Sequence, residues 1–132
     1  MGAEPWDYFV PYEQDVEVAL NKLRQAEFEA GRYRGSEMNP STIEEAFANM
    51  GADGTGSILD ITGVSELPDF SAVTPLPRET LEELFGTDKP TREMIQTNMD
   101  FYEDIERGQG VYIIAYKDGR PSEIFFAGYS FD

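Results

Sequence analysis

Apolar side chains recur at helical spacing in two long stretches of the chain. Between Glu13 and Ala30 they fall on one stripe, formed by Val16, Ala19, Leu20, Leu23, Ala26 and Ala30. Between about Thr91 and Arg107 a second stripe consists of Met94, Ile95, Met99, Phe101, Tyr102 and Ile105. Gly31 stands where the C-terminal cap of the first helix belongs, and Pro90 precedes the second. The pattern therefore predicts two amphipathic helices over these stretches.

Two shorter helices and a loop are predicted between these stretches. Ser41 and Glu44 have the spacing of a capping box, and Gly51 marks the end of the helix that they open. A further short helix is predicted over Pro77 to Phe85, because proline favours a helix start and a glycine follows the last residue. In the segment from Gly63 to Thr74, polar residues interrupt the apolar ones in a pattern that is typical of a loop.

The C-terminal part of the chain predicts a β-hairpin. Gly110–Tyr116 and Ser122–Phe131 are apolar runs, and the Asp-Gly pair between them suits a tight turn with positive φ angles. Both strands are apolar on both faces, which favours cover by helices on each side; the alternative is an aromatic surface open to a partner. Ser57–Ile61 alternates and predicts another strand, and Asp7–Val10 is a further candidate.

Together these elements predict an α+β fold in a single domain that spans residues 1–132. We expect about four helices packed on a small, mainly antiparallel sheet that ends in the C-terminal β-hairpin. A chain of 132 residues with 40% hydrophobic residues has enough apolar material to bury one core without disulfide or metal support.

The composition excludes several kinds of chemistry. The chain contains no cysteine and no histidine, so it cannot build a thiolate nucleophile, a Ser-His-Asp triad or a histidine metal site. The segment Asp53–Ser57 has oxygen ligands at alternate positions, as at the start of a calcium loop, but Ile58 and Val64 occupy the positions that need Gly and Glu. We therefore expect a tight loop there, and we expect no catalytic residue, no cofactor, no metal and no enzymatic activity.

The net charge constrains the partners. The chain has 26 acidic and 10 basic residues, which gives a net charge of −16, and both halves of the chain are acidic. Such a surface repels nucleic acid and anionic membranes and attracts basic proteins. Solubility alone is the other explanation of the charge. The longest apolar run, Val111 to Tyr116, is too short to span a membrane, and the start of the chain lacks a signal-peptide pattern, so we expect a cytoplasmic protein.

Six carboxylates are the candidate partner-binding residues. On the predicted helix from Thr91 to Arg107, the side opposite the apolar stripe carries Glu93, Asp100 and Asp104, with Glu103 at its edge. A second acidic pair, Glu44 and Glu45, lies on the helix after Ser41. The stretch from residue 93 to residue 106 itself contains no lysine or arginine, so ion pairs at helical spacing within it are absent. The alternative is an ordinary solvated face.

One basic–aromatic cluster stands out against the acidic background. Arg32, Tyr33 and Arg34 could hold a phosphate or a nucleotide base, or the arginines could pair with neighbouring acids. We expect the pairing.

Three segments resemble small acidic bacterial proteins of the actinobacterial type: Trp6–Glu13 (WDYFVPYE), Ala52–Ile61 (ADGTGSILDI) and Glu123–Asp132 (EIFFAGYSFD). The resemblance implies a bacterial, cytoplasmic, single-domain protein, and it carries over no activity and no site residue. Small acidic proteins of this kind recur as immunity proteins or antitoxins, which is an analogy of size and charge.

Three functions remain open at this point. The favoured one is an immunity protein or antitoxin, a monomer or homodimer, that neutralises a basic enzyme such as a nuclease or nucleotide-modifying toxin without contacting nucleic acid or membrane. The second is a small ligand-binding domain or enzyme with Asp/Glu chemistry and an aromatic pocket lined by Trp6, Tyr8, Tyr112 and Tyr129. The third is a protein that self-associates through a strand edge.

Overall fold

A computed structural model describes residues 3–131 of the chain; Met1, Gly2 and Asp132, the last residue of one resembling segment, lie outside the described residues. The described part contains five strands: β1 (Pro5–Pro11), β2 (Gly63–Val64), β3 (Ala72–Pro75), β4 (Gly110–Lys117) and β5 (Arg120–Tyr129). It also contains four α-helices: α1 (Val16–Ala30), α2 (Ile43–Met50), α3 (Arg78–Phe85) and α4 (Arg92–Thr97). The predicted α+β class is confirmed.

The strands form one sheet in the order β1-β5-β4-β3-β2. Strand β5 runs antiparallel to both β1 and β4, whereas β3 runs parallel to β4 and β2 parallel to β3. The sheet is therefore mostly antiparallel, with a short parallel extension on one side. That extension falls in the segment Gly63–Thr74, where only a loop was expected.

Helices cover the sheet on both faces. Successive side chains of a strand point to opposite faces, so β5 contributes Ile124 and Phe126 to one face and Phe125 and Ala127 to the other. The first core lies under α1 and consists of Trp6, Ala19, Leu20, Leu23, Ile58, Ile61, Val73, Ile124 and Phe126. The second lies under α3 and α4 and consists of Ile95, Phe101, Val111, Ile113, Ala115, Phe125 and Ala127. The expectation that helices cover both faces of the hairpin is confirmed.

The predicted hairpin forms with a two-residue turn. Asp118 and Gly119 both have positive φ angles, 53° and 76°, as an Asp-Gly hairpin turn requires. The register shifts next to Ala115, where Tyr116 faces Pro121. A β-bulge accommodates the proline there, since proline cannot donate to a regular ladder.

The N-terminal cap of α2 is displaced by one residue from its predicted position. Thr42, and not Ser41, caps the helix: its Oγ1 accepts a hydrogen bond from the backbone N–H of Glu45 at 3.1 Å. The carboxylate of Glu45 in turn accepts from the N–H of Ser41 at 3.3 Å. Glu45 thus occupies the third helical position, as in a capping box, but its carboxylate returns to the residue before the N-cap and not to Thr42 itself.

The strand predicted over Ser57–Ile61 is wrong, because this segment forms a 3-10 turn at Ile58–Asp60. The Oγ atom of Ser57 accepts a hydrogen bond from the N–H of Leu59 at 3.2 Å. Local bonds from a serine side chain to the backbone compete with a strand ladder and favour a turn. The apolar residues of this segment still contribute to the core, since Ile58 and Ile61 are fully buried under α1.

The long helix predicted from Thr91 to Arg107 is also wrong, since α4 ends at Thr97 and a 3-10 helix follows at Asp100–Asp104. Asn98 has extended backbone angles and separates the two. Its side-chain amide donates to the carbonyl of Leu84 at 2.9 Å, and its Oδ1 accepts from the N–H of Asp100 at 3.2 Å. An asparagine that binds the backbone in this way ends a helix.

Within residues 3–131, no helix has both the length and the apolar character that crossing a bilayer demands.

The indole of Trp6 lies in a slot that two glycines leave open. Trp6, Gly128 and Gly110 are cross-strand neighbours on β1, β5 and β4. A Cβ atom at Gly128 would lie 2.6 Å from the Trp6 ring and would also collide with the carbonyl oxygen of Gln109. A Cβ at Gly110 would lie 2.8 Å from the same ring. The glycines are therefore needed because the indole and the backbone leave no space for a side chain.

We predict that Gly128→Ala lowers the free energy of unfolding by about 2 kcal/mol, because overpacking a filled core forces backbone and side chains apart. Gly63→Ala is the matched control, since Gly63 also lies in a strand and its Cβ would meet no atom within 4 Å. Urea denaturation of both variants measures the effect. Equal stabilities of the two variants would show that the slot is not filled by Trp6.

Candidate interaction site

The six predicted partner-binding carboxylates are exposed, but the structure does not bring them onto one helix face. Glu93 lies on α4 and borders a cleft with Lys117 and Asp118 at the hairpin turn. Asp100, Glu103 and Asp104 lie on the separate 3-10 helix. The predicted shared face is wrong, because it depended on a continuous helix through Asn98.

The remaining predicted carboxylates have different surroundings. Glu103 borders a cleft with Arg107 and Tyr129, whereas Asp104 borders an apolar cavity. Glu44 and Glu45 lie in the first turn of α2, where negative charge is favourable to the helix. The acids thus form several local groups over the surface. Whether they contact a partner stays a prediction.

At least five of the 10 basic side chains form ion pairs with acidic residues of the same chain. The ion pairs join Lys22 to Glu13, Arg32 to Glu27, Arg34 to Glu4, Arg92 to Glu123, and Arg78 to Glu82 and Asp88. Apart from Glu27, whose carboxylate is buried, these groups are exposed or partly exposed. Exposed pairs add little stability, but every pair cancels positive charge locally. The field outside the molecule is consequently dominated by the remaining carboxylates.

The basic–aromatic cluster pairs with acids, as expected. The guanidinium of Arg32 binds the buried carboxylate of Glu27 at 2.6 Å, and this contact raises the pKa of Arg32. Arg34 binds Glu4 at 2.8 Å and also donates to the carbonyl of Asp53 at 3.0 Å. Arg32 therefore ties the segment after α1 back to the end of that helix, and Arg34 ties it to Glu4 and to the loop at Asp53.

A buried polar cluster closes the loop Asp53–Ser57 against the end of the chain. Asp60, with 0% of its surface exposed, accepts hydrogen bonds from the N–H and Oγ1 of Thr55 at 2.7 and 2.8 Å and from the Oγ of Ser130 at 3.0 Å. A Cβ at Gly54 would lie 2.8 Å from atoms of both Asp60 and Ser130. The segment is a tight loop, as expected, held by a carboxylate that satisfies its donors.

Sequence reasoning did not identify Asp60. The available signal is a single acid inside the apolar run Ile58–Ile61. A positive charge lies nearby: Arg24 of α1 donates to the carbonyl of Leu59 at 3.3 Å. Burial lowers the pKa of Arg24, and the charges of Glu44 and Asp60 act in the opposite direction. The guanidinium thus helps to compensate the buried carboxylate.

The four aromatic residues of the alternative ligand pocket do not meet in one cavity. Trp6 and Tyr8 pack into the core under α1. Tyr112 borders a surface cleft at the start of α1, and Tyr129 borders a different cleft beside Glu103. The structure therefore distributes these side chains over the core and two separate clefts.

Two half-buried phenols, those of Tyr8 and Tyr102, serve as hydrogen-bonding groups at neutral pH. Burial raises the pKa of Tyr8 to about 12, and its hydroxyl accepts a hydrogen bond from the N–H of Ile58 at 3.3 Å. Burial, and then the charge of Asp7, raise the pKa of Tyr102, whose hydroxyl donates to the carbonyl of Trp6 at 2.8 Å. Both rings remain protonated and connect separate elements of the fold.

An apolar cavity of about 220 Å³ lies beyond the parallel end of the sheet. We call it the acidic-rimmed cavity; its lining consists of Glu66, Leu67, Pro68, Thr74, Pro75, Leu76, Pro77, Thr80, Phe101, Asp104, Ile105 and Val111. Three connections converge there: the β2–β3 loop, the link from β3 to α3, and the end of the 3-10 helix Asp100–Asp104. Phe101 and Val111 belong to the core under α3 and α4.

The polar groups of the acidic-rimmed cavity are few. Glu66 and Asp104 are exposed, and neither takes part in the ion pairs described above. Thr74 is only 5% exposed, and its Oγ1 has no hydrogen-bond partner among the described residues. Leu67 is 75% exposed next to them. The arrangement combines apolar walls, two carboxylates and one unsatisfied hydroxyl.

Comparisons with protein-family models, curated proteins and solved structures found no match for this chain. Among residues 3–131, no three acidic side chains converge in a way that could hold a metal ion.

We predict that Thr74→Val raises the free energy of unfolding by about 1 kcal/mol, because it removes a buried hydroxyl that lacks a partner. Thr55→Val is the matched change at a bonded hydroxyl, and it should lower that free energy by about 2 kcal/mol because Asp60 loses a donor. Thermal and urea unfolding give both values. A loss of stability in Thr74→Val as large as in Thr55→Val would contradict the assignment of an unsatisfied hydroxyl.

Proposed function

We propose that this protein binds a basic protein, and that it acts in the bacterial cytoplasm as an immunity protein or antitoxin that neutralises a basic enzyme such as a nuclease or a nucleotide-modifying toxin. The observation that carries the proposal is the charge: a net −16 on 132 residues, with most of the 26 acidic side chains exposed. The proposal concerns contact with protein, since this charge repels nucleic acid.

The core residues and the buried carboxylate are already engaged in the fold, which supports a function at the surface. Both faces of the sheet pack against helices, and Phe125 and Phe126 of the hairpin are buried in the two cores. The buried carboxylate Asp60 is engaged by the loop that it closes. The groups that remain available to a macromolecular partner include most of the carboxylates and a small number of exposed apolar side chains.

Electrostatics would determine how such a complex forms. Opposite charges on two proteins accelerate their encounter, and the acceleration falls as salt screens the field beyond about 10 Å. Charged groups at the edge of a contact affect the association rate more than the final affinity. The proposal therefore implies fast association with a steep dependence on ionic strength.

We predict that the protein, immobilised at about 50 mM salt, where screening is weak, retains from an actinobacterial extract a basic protein that elutes with increasing salt. The identified protein is then purified, and its activity is assayed with and without this chain. Inhibition at equimolar ratio, with an association rate that falls as salt increases, is the expected result.

Two triple variants with equal charge separate a specific contact from attraction by net charge. One neutralises the carboxylates of the 3-10 helix: Asp100→Asn, Glu103→Gln and Asp104→Asn. The other neutralises exposed acids elsewhere: Glu29→Gln, Glu37→Gln and Glu83→Gln. Only the first should weaken binding, by about tenfold, which corresponds to about 1.4 kcal/mol. Equal weakening by both, or no retained basic protein, would contradict the proposal.

A further inference from the structure

We infer that the acidic-rimmed cavity is the anchor site of this contact: it takes one apolar side chain from a loop of the basic partner, with lysine or arginine residues on both sides of it. The inference rests on the proposed function and adds the place and the chemistry of recognition. It depends on four observations, namely the size of the cavity, its carboxylates, its rigid walls and the hydroxyl of Thr74.

The size of the cavity fits one side chain. Its volume is about 220 Å³, and an apolar cavity of about 150 Å³ in a protein can hold a benzene molecule. A phenylalanine or leucine side chain therefore fits, whereas a drug-sized ligand needs about 300 Å³ or more. Phe101 and Val111 provide the apolar contact, and they are fixed because they also belong to the core.

The negative charge at the opening of the cavity favours positively charged residues on either side of the inserted side chain. Glu66 comes from the β2–β3 loop and Asp104 from the end of the 3-10 helix, so two elements each present an exposed carboxylate to the same cavity. An acidic segment would be repelled, and a cation beside the apolar group would be attracted to either carboxylate. An apolar centre with a polar, solvent-accessible rim is the usual composition of a protein interface.

The walls are held in place before binding. Pro68, Pro75 and Pro77 line the cavity, and proline fixes the φ angle of the backbone. Less conformational entropy is therefore lost when a partner enters. Leu67, three-quarters exposed at the opening, would be covered by the partner, and this covering contributes to binding.

Thr74 supplies a polar group that the fold itself leaves unused. Its neighbour in the sheet is Val111, so both side chains face the cavity side of the sheet. Rotation about the Cα–Cβ bond moves the hydroxyl of a threonine from one staggered position to another. The hydroxyl can thus turn to a backbone group of an inserted loop, which would satisfy an otherwise unpaired buried group.

Three short peptides test this chemistry without the natural partner. Ac-Lys-Phe-Lys-NH2 carries both the apolar group and the charges, Ac-Lys-Ala-Lys-NH2 lacks the apolar group, and Ac-Glu-Phe-Glu-NH2 reverses the charges. NMR titration of the full chain gives the dissociation constant and the residues affected. We expect the first peptide to bind at least tenfold more tightly than either of the others, with shifts at Thr74, Leu76 and Val111.

Paired variants locate the effect at the cavity. Glu66→Gln with Asp104→Asn should weaken binding of Ac-Lys-Phe-Lys-NH2 at least fivefold. Glu29→Gln with Glu37→Gln removes the same charge from residues that do not line the cavity and should change binding less than twofold. All four positions are exposed, so both variants should keep the fold.

The outcomes separate this inference from the proposed function. Equal binding of the alanine peptide, equal binding of the glutamate peptide, or shifts confined to other parts of the chain would overturn the anchor site. Capture of a basic enzyme without peptide binding at the cavity also overturns the anchor site and leaves the proposed function in place. Selective peptide binding without any basic protein captured supports the chemistry of the cavity and counts against the proposed function.

Discussion

Strand β5 pairs with β1 along one edge and with β4 along the other. Its residues from Ile124 to Gly128 are buried. A strand with both edges paired can bury its side chains only if both faces are covered. Full burial of side chains such as Ile124, Phe125 and Phe126 stabilises the fold by about 1.5–3 kcal/mol each. The position of α1 on one face and of α3 and α4 on the other follows from this requirement.

The same burial determines which part of the surface stays open to the partner that we propose. The antiparallel half of the sheet is closed by the helices and by Trp6 in its glycine slot. The parallel side is short: β3 has four residues and β2 has two. The loops beyond these strands therefore lie over the sheet end without filling it, and the acidic-rimmed cavity is the space they leave. Negative charge and an apolar recess coincide there.

Local patterns predicted the elements that local interactions determine. The hairpin turn needs positive φ at Asp118 and Gly119, which the dipeptide itself favours, and α1 follows from one apolar stripe and its caps. The errors at Ile58–Asp60 and Asn98 have one cause. In both places a polar side chain binds nearby backbone groups, and these bonds override the apolar periodicity.

The sequence pattern could not predict contacts between residues that lie far apart along the chain. Strand β3 pairs with β4 about 37 residues further along the chain, and no local signal specifies that parallel register. The exposure of the acids followed from their charge, but the meeting of Glu66 and Asp104 at one cavity depends on loops that only the tertiary fold brings together. The buried role of Asp60 depends in the same way on Ser130, seventy residues later.

The most direct test of this account is hydrogen exchange of the backbone amides, measured with and without the basic protein that we propose as the partner. Binding at the acidic-rimmed cavity predicts slower exchange in residues 64–76 and 100–106, and unchanged exchange on the exposed side of α1. Protection confined to α1 and α2, with unchanged exchange around the cavity, would contradict it.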